Sequence, residues 1–277
     1  MNRRAFLLSS LAAAASGQEI PFICPMDPEV RSPVPAKCPR CGMKLVAGIP
    51  DPREFAVDLT VSPKPLRAGA PLRMRLVPKD PKTGKPAKLQ LIHEKLLHLF
   101  IVSSDLQYFA HEHPVRQADG SFLFQTALPH GGEYRLLCDF YPENAMPQMI
   151  GKTLYAVGSQ PEVAALSTDT GTQRGSNLTV SIRMDPPQPL AGTKTMLFFR
   201  LQPGDGLEPY LGAWGHMLLA SSDLADMIHT HPAWEDKSDT IQFNVIFPRA
   251  GLHRVWVQFQ RLGVLNTVAF TVPIAAV

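Results

Sequence analysis

Two stretches decide the fold: "HLFIVSSDLQYFAHEHP" at residues 98–114 and "HMLLASSDLADMIHTHP" at residues 216–232. They align without a gap. His98, Ser103, Ser104, Asp105, Leu106, His111, His113 and Pro114 return as His216, Ser221, Ser222, Asp223, Leu224, His229, His231 and Pro232. The likeness continues downstream, where "LPHGGEYRLLCDF" (128–140) meets "FPRAGLHRVWVQF" (247–259) after a one-residue shift. Upstream, "KPLRAGAPLRMRL" (64–76) matches "QPLAGTKTMLFFRL" (188–201) more loosely. The chain therefore holds two copies of one unit, each on the order of 100 residues.

Each copy reads as β structure. Runs such as "EFAVDLTV", "PLRMRLV", "LLHLFIVSS", "SFLFQTAL" and "EYRLLCDFY" are of strand length, rich in Val, Leu, Phe and Thr, and broken by Pro, Gly and Asp clusters. The expected fold class is all-β, with two similar β-sandwich domains at 51–158 and 177–277 and a polar linker at 159–176. Cys138 stands where the second copy has Val257 and is expected to be a buried structural thiol.

The repeated histidines follow from strand geometry. Side chains alternate along a strand, so His111 and His113 share a face, as do His229 and His231. If the Ser-Ser-Asp-Leu segment is an even hairpin turn centred between Asp105 and Leu106, His98 falls opposite His113. The second copy repeats this with His216 and His231. Each triple is then a candidate site for copper, zinc or nickel, which neutral imidazole suits. The competing reading is that the histidines finish an apolar core, because His98 shares its face with Phe100 and Val102. His93 falls on the opposite strand face if its run is straight, and His130 and His253 read as surface residues near turns. Asp105 and Asp223 read as turn formers bonding to nearby backbone.

A separate segment precedes the repeats. Three of the four cysteines lie close together in "CPMDPEVRSPVPAKCPRCGM", as Cys24, Cys38 and Cys41. Two cysteines separated by two residues bend around one ion, and Cys24 adds a third thiolate. Asp27 is the nearest candidate for a fourth ligand to zinc. Met26 and Met43 each follow a cysteine by two residues, and thioethers favour copper(I). The cofactor expected here is a copper or zinc ion, with oxidation of Cys38 and Cys41 to a disulfide as the competing state.

Residues 22–46 resemble the small heavy-metal-binding domain of copper-transporting ATPases and of periplasmic adaptors in copper and silver efflux. Asp27 replaces that family's usual His, and Ala36 its turn Gly. The resemblance implies metal binding by Cys24, Cys38 and Cys41 in a clip at 18–50. The paired His-x-His-Pro segments also resemble exported bacterial proteins that join such a clip to duplicated immunoglobulin-like β domains, which implies a metal-handling context and names no reaction.

The start, "MNRRAFLLSSLAAAASGQE", has a basic pair, an apolar run and small residues, the plan of a cleaved, twin-arginine-like export signal at 1–17. The expected location is periplasmic or secreted. No second long apolar run gives a stable membrane span. The formal charge of +3 is spread along the chain and argues against a nucleic-acid partner. GxxxxGK[ST], GxSxG and HExxH are all absent, so the chain reads as a non-enzyme. The leading expectation is a heavy-metal binder, copper first, acting as buffer, carrier or efflux accessory with an efflux or metal-delivery partner. The alternatives are an interaction module with a structural zinc clip, and a copper oxidoreductase using a histidine cluster.

Overall fold

The computed structural model describes residues 22–27, 30–48, 53–143, 145–162, 165–232 and 238–277. The signal-like segment at 1–17 lies outside the described residues, which contain strands and no helix.

The clip is a three-stranded antiparallel sheet of β1 (Phe22–Ile23), β2 (Arg31–Ser32) and β3 (Val46–Ala47), in the order β2-β1-β3. The first repeat contains β4 (Val57–Ser62), β5 (Pro71–Pro78), β6 (Leu97–Ser103), β7 (Phe109–Glu112), β8 (Val115–Arg116), β9 (Phe122–Ala127), β10 (Gly132–Phe140) and β11 (Gln148–Ala156). Its two sheets run β4-β5-β9-β8 and β11-β10-β6-β7. The second repeat contains β12 (Gln173–Arg174), β13 (Thr179–Asp185), β14 (Lys194–Gln202), β15 (Leu207–Glu208), β16 (His216–Ser221), β17 (Met227–Thr230), β18 (Thr240–Ile246), β19 (Gly251–Arg261) and β20 (Val264–Ile274). Its sheets run β12-β13-β14-β18 and β15-β19-β16-β17, with β20 also on β19. Both repeats are β-sandwiches with separate cores, one around Met74, Leu99, Tyr134 and Phe140, the other around Phe199, Met217, Phe243 and Phe259. Cys138 is wholly buried in the first core, as expected of a lone strand thiol.

An antiparallel sheet in an isolated sandwich keeps one face in water. Strands β6 and β16 do not: every residue of both is buried. In β6, Leu97, Leu99 and Ile101 point into their own core, while Phe100 and Val102 point away from it. In β16, Met217 and Leu219 face inward, and Leu218 and Ala220 face outward. The outward residues pack against each other across the two repeats, joined by Leu137 of β10 and Trp256 of β19. Phe109 stacks on Trp256 with ring centroids 5.1 Å apart and planes 10° from parallel. The two sandwiches thus dock sheet to sheet through equivalent faces. Leu166, from the 159–176 segment, packs against the same layer.

The turns behave as their residues dictate. The Asp105 and Asp223 carboxylates each accept from the hydroxyl of the serine two residues before, Ser103 and Ser221, and from an amide two residues on, Gln107 N–H at 3.0 Å and Ala225 N–H at 3.1 Å. These contacts fix even-length hairpins. Phe100 pairs with His111 and Val102 with Phe109, and Leu218 pairs with His229 and Ala220 with Met227. Extending either ladder by one pair puts His98 opposite His113 and His216 opposite His231, the register expected from the sequence.

Candidate metal centre

In the clip, the sulfur atoms of Cys24, Cys38 and Cys41 all lie within 4.8 Å of one another, and none is in a disulfide. Cys24 and Cys41 Sγ are 3.6 Å apart. Burial pushes the Cys24 and Cys41 thiols up, whereas at Cys38 the amides of Cys41 and Arg40 outweigh burial and bring the thiol below its ordinary value. The tight turn after Cys38 supplies those amides, so the Cys-Pro-Arg-Cys spacing itself favours a thiolate. No histidine or carboxylate joins the thiols within that radius among the described residues. Asp27 gives its amide N–H to Cys24 Sγ at 3.3 Å, while its carboxylate pairs with Arg40. Met43 is buried beside the cysteines and Met26 packs against them, its sulfur accepting from the Tyr141 hydroxyl at 3.9 Å. The clip is seated on the first sandwich through Ile92 and Tyr141.

The docked faces of the sandwiches bring the repeated histidines together. His98 and His229 have ring centroids 5.6 Å apart, His111 and His216 5.4 Å, and His98 and His216 6.2 Å. Phe100 lies against both His111, at 4.3 Å, and His229, at 4.6 Å, forming an apolar wall. The six histidines expected to form two separate clusters therefore line one chamber between the domains.

A seventh enters where the sequence placed none. The run before β6 is not straight, because Ile92 bridges Lys95 in a tight turn with φ of +47° at His93 and +63° at Glu94. That turn swings His93 into the chamber, stacked on His231 with centroids 3.7 Å apart. The counterpart of His93 in the second repeat is Leu211. His253 corrects a second expectation: it is buried, at 5.1 Å from the Phe247 ring, and not a surface residue. His130 pairs with Asp105 at 3.7 Å.

Hydrogen-bond partners fix the tautomers of four rings. A carbonyl or carboxylate oxygen only accepts, so the ring nitrogen facing it must carry the proton. His98 Nε2–H donates to Ile92 O at 3.1 Å, and His216 Nε2–H to Tyr210 O at 2.8 Å. His111 Nδ1–H donates to Gln258 Oε1 at 2.7 Å, and His229 Nδ1–H to Asp139 Oδ2 at 2.6 Å. In the neutral rings the remaining nitrogens are bare lone pairs. His98 Nδ1 and His111 Nε2 lie 3.0 Å apart, and His216 Nδ1 lies 3.1 Å from His231 Nε2. In the first pair two lone pairs face each other and repel, whereas in the second His231 Nε2–H can donate to His216 Nδ1; both separations are those of two nitrogens sharing an ion at roughly 2.0–2.1 Å. Protonation does not relieve the contact. Burial first, and the nearness of other imidazoles second, lower His98 to about 2 and hold His111 and His216 well below the usual histidine range. The buried Nε2 atoms of His93, His113 and His229 have no hydrogen-bond partner among the described residues. Oxygen acceptors on the outer nitrogens and bare inner nitrogens are what metal-binding imidazoles require.

The nitrogens fall into overlapping groups within 4.8 Å: His98, His111 and His113; His93, His216 and His231; and His111, His216 and His229. The signal for this convergence was in the sequence. Both repeats carry an unbroken apolar run where a half-solvated strand would alternate, at 99–102 and 217–220.

Fold and sites together define a tandem β-sandwich protein with a three-thiol clip. The chain belongs to the family described as "Domain of unknown function (DUF8832)", which matches residues 53–150 and 173–276. Residues 22–47 match the heavy metal binding domain. A comparison with curated proteins finds no match. Among solved structures, a two-domain fibronectin type-III segment of chicken tenascin is similar at 9% identity and a TM-score of 0.25, covering 78% of this chain and 97% of that one. The FN1–FN3 domains of chicken CNTN1 align at 8% identity and a TM-score of 0.23, covering 86% and 76%. Yersinia pseudotuberculosis InvD aligns at 12% identity and a TM-score of 0.26, covering 80% of this chain; the chain spans 58% of InvD's length.

Proposed function

We propose that this protein is an extracytoplasmic heavy-metal carrier or buffer, with copper as its principal cargo, and that it performs no catalytic step. The observation that carries this reading is the clip, where three free thiols lie within 4.8 Å of one another. Its match to the heavy metal binding domain supports metal as the ligand. Met26 and Met43 beside the thiols support a soft, univalent ion over zinc. The signal-like residues 1–17 support export, and an efflux or metal-delivery protein is the expected recipient of the ion.

A structural zinc clip is the second reading, favoured by the burial of Cys24 and Cys38 against Ile92 and Tyr141. Transfer kinetics separate the two. Protein loaded with Cu(I) under anaerobic conditions is challenged with a chromogenic chelator, and its zinc-loaded form with a zinc chelator. A carrier releases Cu(I) within minutes and prefers it to zinc. A zinc that holds through the challenge while copper fails to displace it would sink the carrier reading.

A further inference from the structure

We propose that the chamber between the sandwiches is a two-ion metal centre assembled jointly by both repeats, distinct from the clip. It deepens the metal-handling reading and has its own test.

The three nitrogen groups are not independent. The central one, His111, His216 and His229, takes one residue from each of the other two. A single ion there leaves the buried Nε2 atoms of His93 and His113 without partners, which is unfavourable for a buried polar atom. Two ions divide the chamber without conflict: one on His98, His111 and His113, the other on His93, His216 and His231. Both rings that carry an orphaned nitrogen then supply a ligand. His229 lies within 4.8 Å of one nitrogen from each triple, so it is placed to complete either ion's shell.

The second triple crosses the domain boundary. His93 comes from the first sandwich and stacks on His231 of the second, while its counterpart Leu211 has no ligating atom. The repeats therefore form unequal halves: the first ion is held within one domain and the second ties both domains together. Imidazoles alone serve copper, zinc or nickel. Asp139 is the one fully buried carboxylate among the described residues, so two divalent ions exceed the chamber's own negative charge. Two divalent ions are expected to bring a bridging hydroxide or other small anion.

The test uses the full chain with Cys24→Ser, Cys38→Ser and Cys41→Ser, stripped with chelator and dialysed against Cu(II) or Zn(II). Elemental mass spectrometry should find two ions per chain. The copper form should show a spin-coupled electron paramagnetic resonance spectrum, because His111 and His216, one from each triple, have centroids only 5.4 Å apart. His93→Gln and His113→Gln should each leave one ion and restore an uncoupled Cu(II) signal, while the metal-free variants keep the circular dichroism of the parent. Wild-type protein, carrying the clip as well, should hold three, which serves if the triple variant fails to fold. A parent chain that holds a single ion and loses it on either substitution, two ions with uncoupled spectra, or no uptake by a folded chain overturns the two-ion centre. A wild-type chain that still loads its clip when the chamber takes nothing leaves the carrier reading standing. A chamber that fills while the clip binds nothing does the reverse.

Discussion

Asp139 and Gln258 occupy equivalent positions in the two sandwiches, and each accepts the Nδ1 proton of a histidine from the other domain. His229 donates to Asp139 at 2.6 Å, and His111 donates to Gln258 at 2.7 Å. The exchange follows a pseudo-twofold relation between the repeats, broken only in that one acceptor is charged and the other is neutral. A carboxylate behind an imidazole makes its far nitrogen a stronger donor to metal than an amide does.

Asp139→Asn keeps an acceptor for His229 and removes the charge. Chamber affinity for Cu(II) or Zn(II) should fall about 10- to 100-fold, the usual cost of losing such a partner, with clip affinity unchanged. Competition titrations against a chelator of known strength measure it. An equal loss at the clip would mean the substitution acts through folding.

Cys38→Ser removes the one clip thiol that is brought below its ordinary value. It should abolish Cu(I) binding at the clip and leave the histidine ions in place. His113→Ala should do the opposite, weakening the chamber and sparing the clip. Copper counted per chain before and after each change reads both outcomes, and equal losses from the two would contradict independent sites.

The metal-free protein should lose stability in acid. The folded chamber refuses protons, since His93 and His113 are lowered to about 4 and His98 to about 2, chiefly by burial, whereas the unfolded chain takes them up near the ordinary histidine value of about 6.5. The unfolded state binds more protons, so stability is intact above about pH 6.5 and is lost as pH falls towards 4. His93 alone accounts for on the order of 3 kcal/mol. Chemical denaturation of chelated protein at pH 7.5 and pH 4.5 tests the direction. A midpoint that does not fall, or falls equally in His93→Gln, would show that these rings do not carry the effect.

Trp256→Ala removes the stack on Phe109 and opens the layer between the domains, while both sandwich cores lie elsewhere. The cost should be about 3–5 kcal/mol, as for other buried aromatic truncations. It should appear as weakened metal binding in the chamber and a separated unfolding transition for one domain. Calorimetry of the metal-free and loaded forms would detect it.

What the sequence disclosed and what it withheld have physical causes. Period-two alternation and the Ser-Ser-Asp-Leu turns are local, so the register that sets His98 against His113 was legible in the sequence. The clip's cysteines were legible for the same reason, since a two-residue spacing dictates a knuckle. Docking of one repeat on the other depends on shape across more than a hundred residues: the apolar runs at 99–102 and 217–220 mark each face as covered but do not say by what. His93 was missed because two consecutive residues with positive φ end the strand where alternation assumed it continued. Asp27 was the nearest carboxylate by number, but Arg40, from the knuckle itself, engages it.

Ile92 is a single residue with two tenants. Its side chain is part of the floor on which Cys24, Cys38 and Met43 rest, and its carbonyl receives the Nε2 proton of His98. The peptide that sets which nitrogen of His98 faces the chamber thus belongs to the residue that also floors the clip, and the thiol and imidazole compartments meet at that one residue.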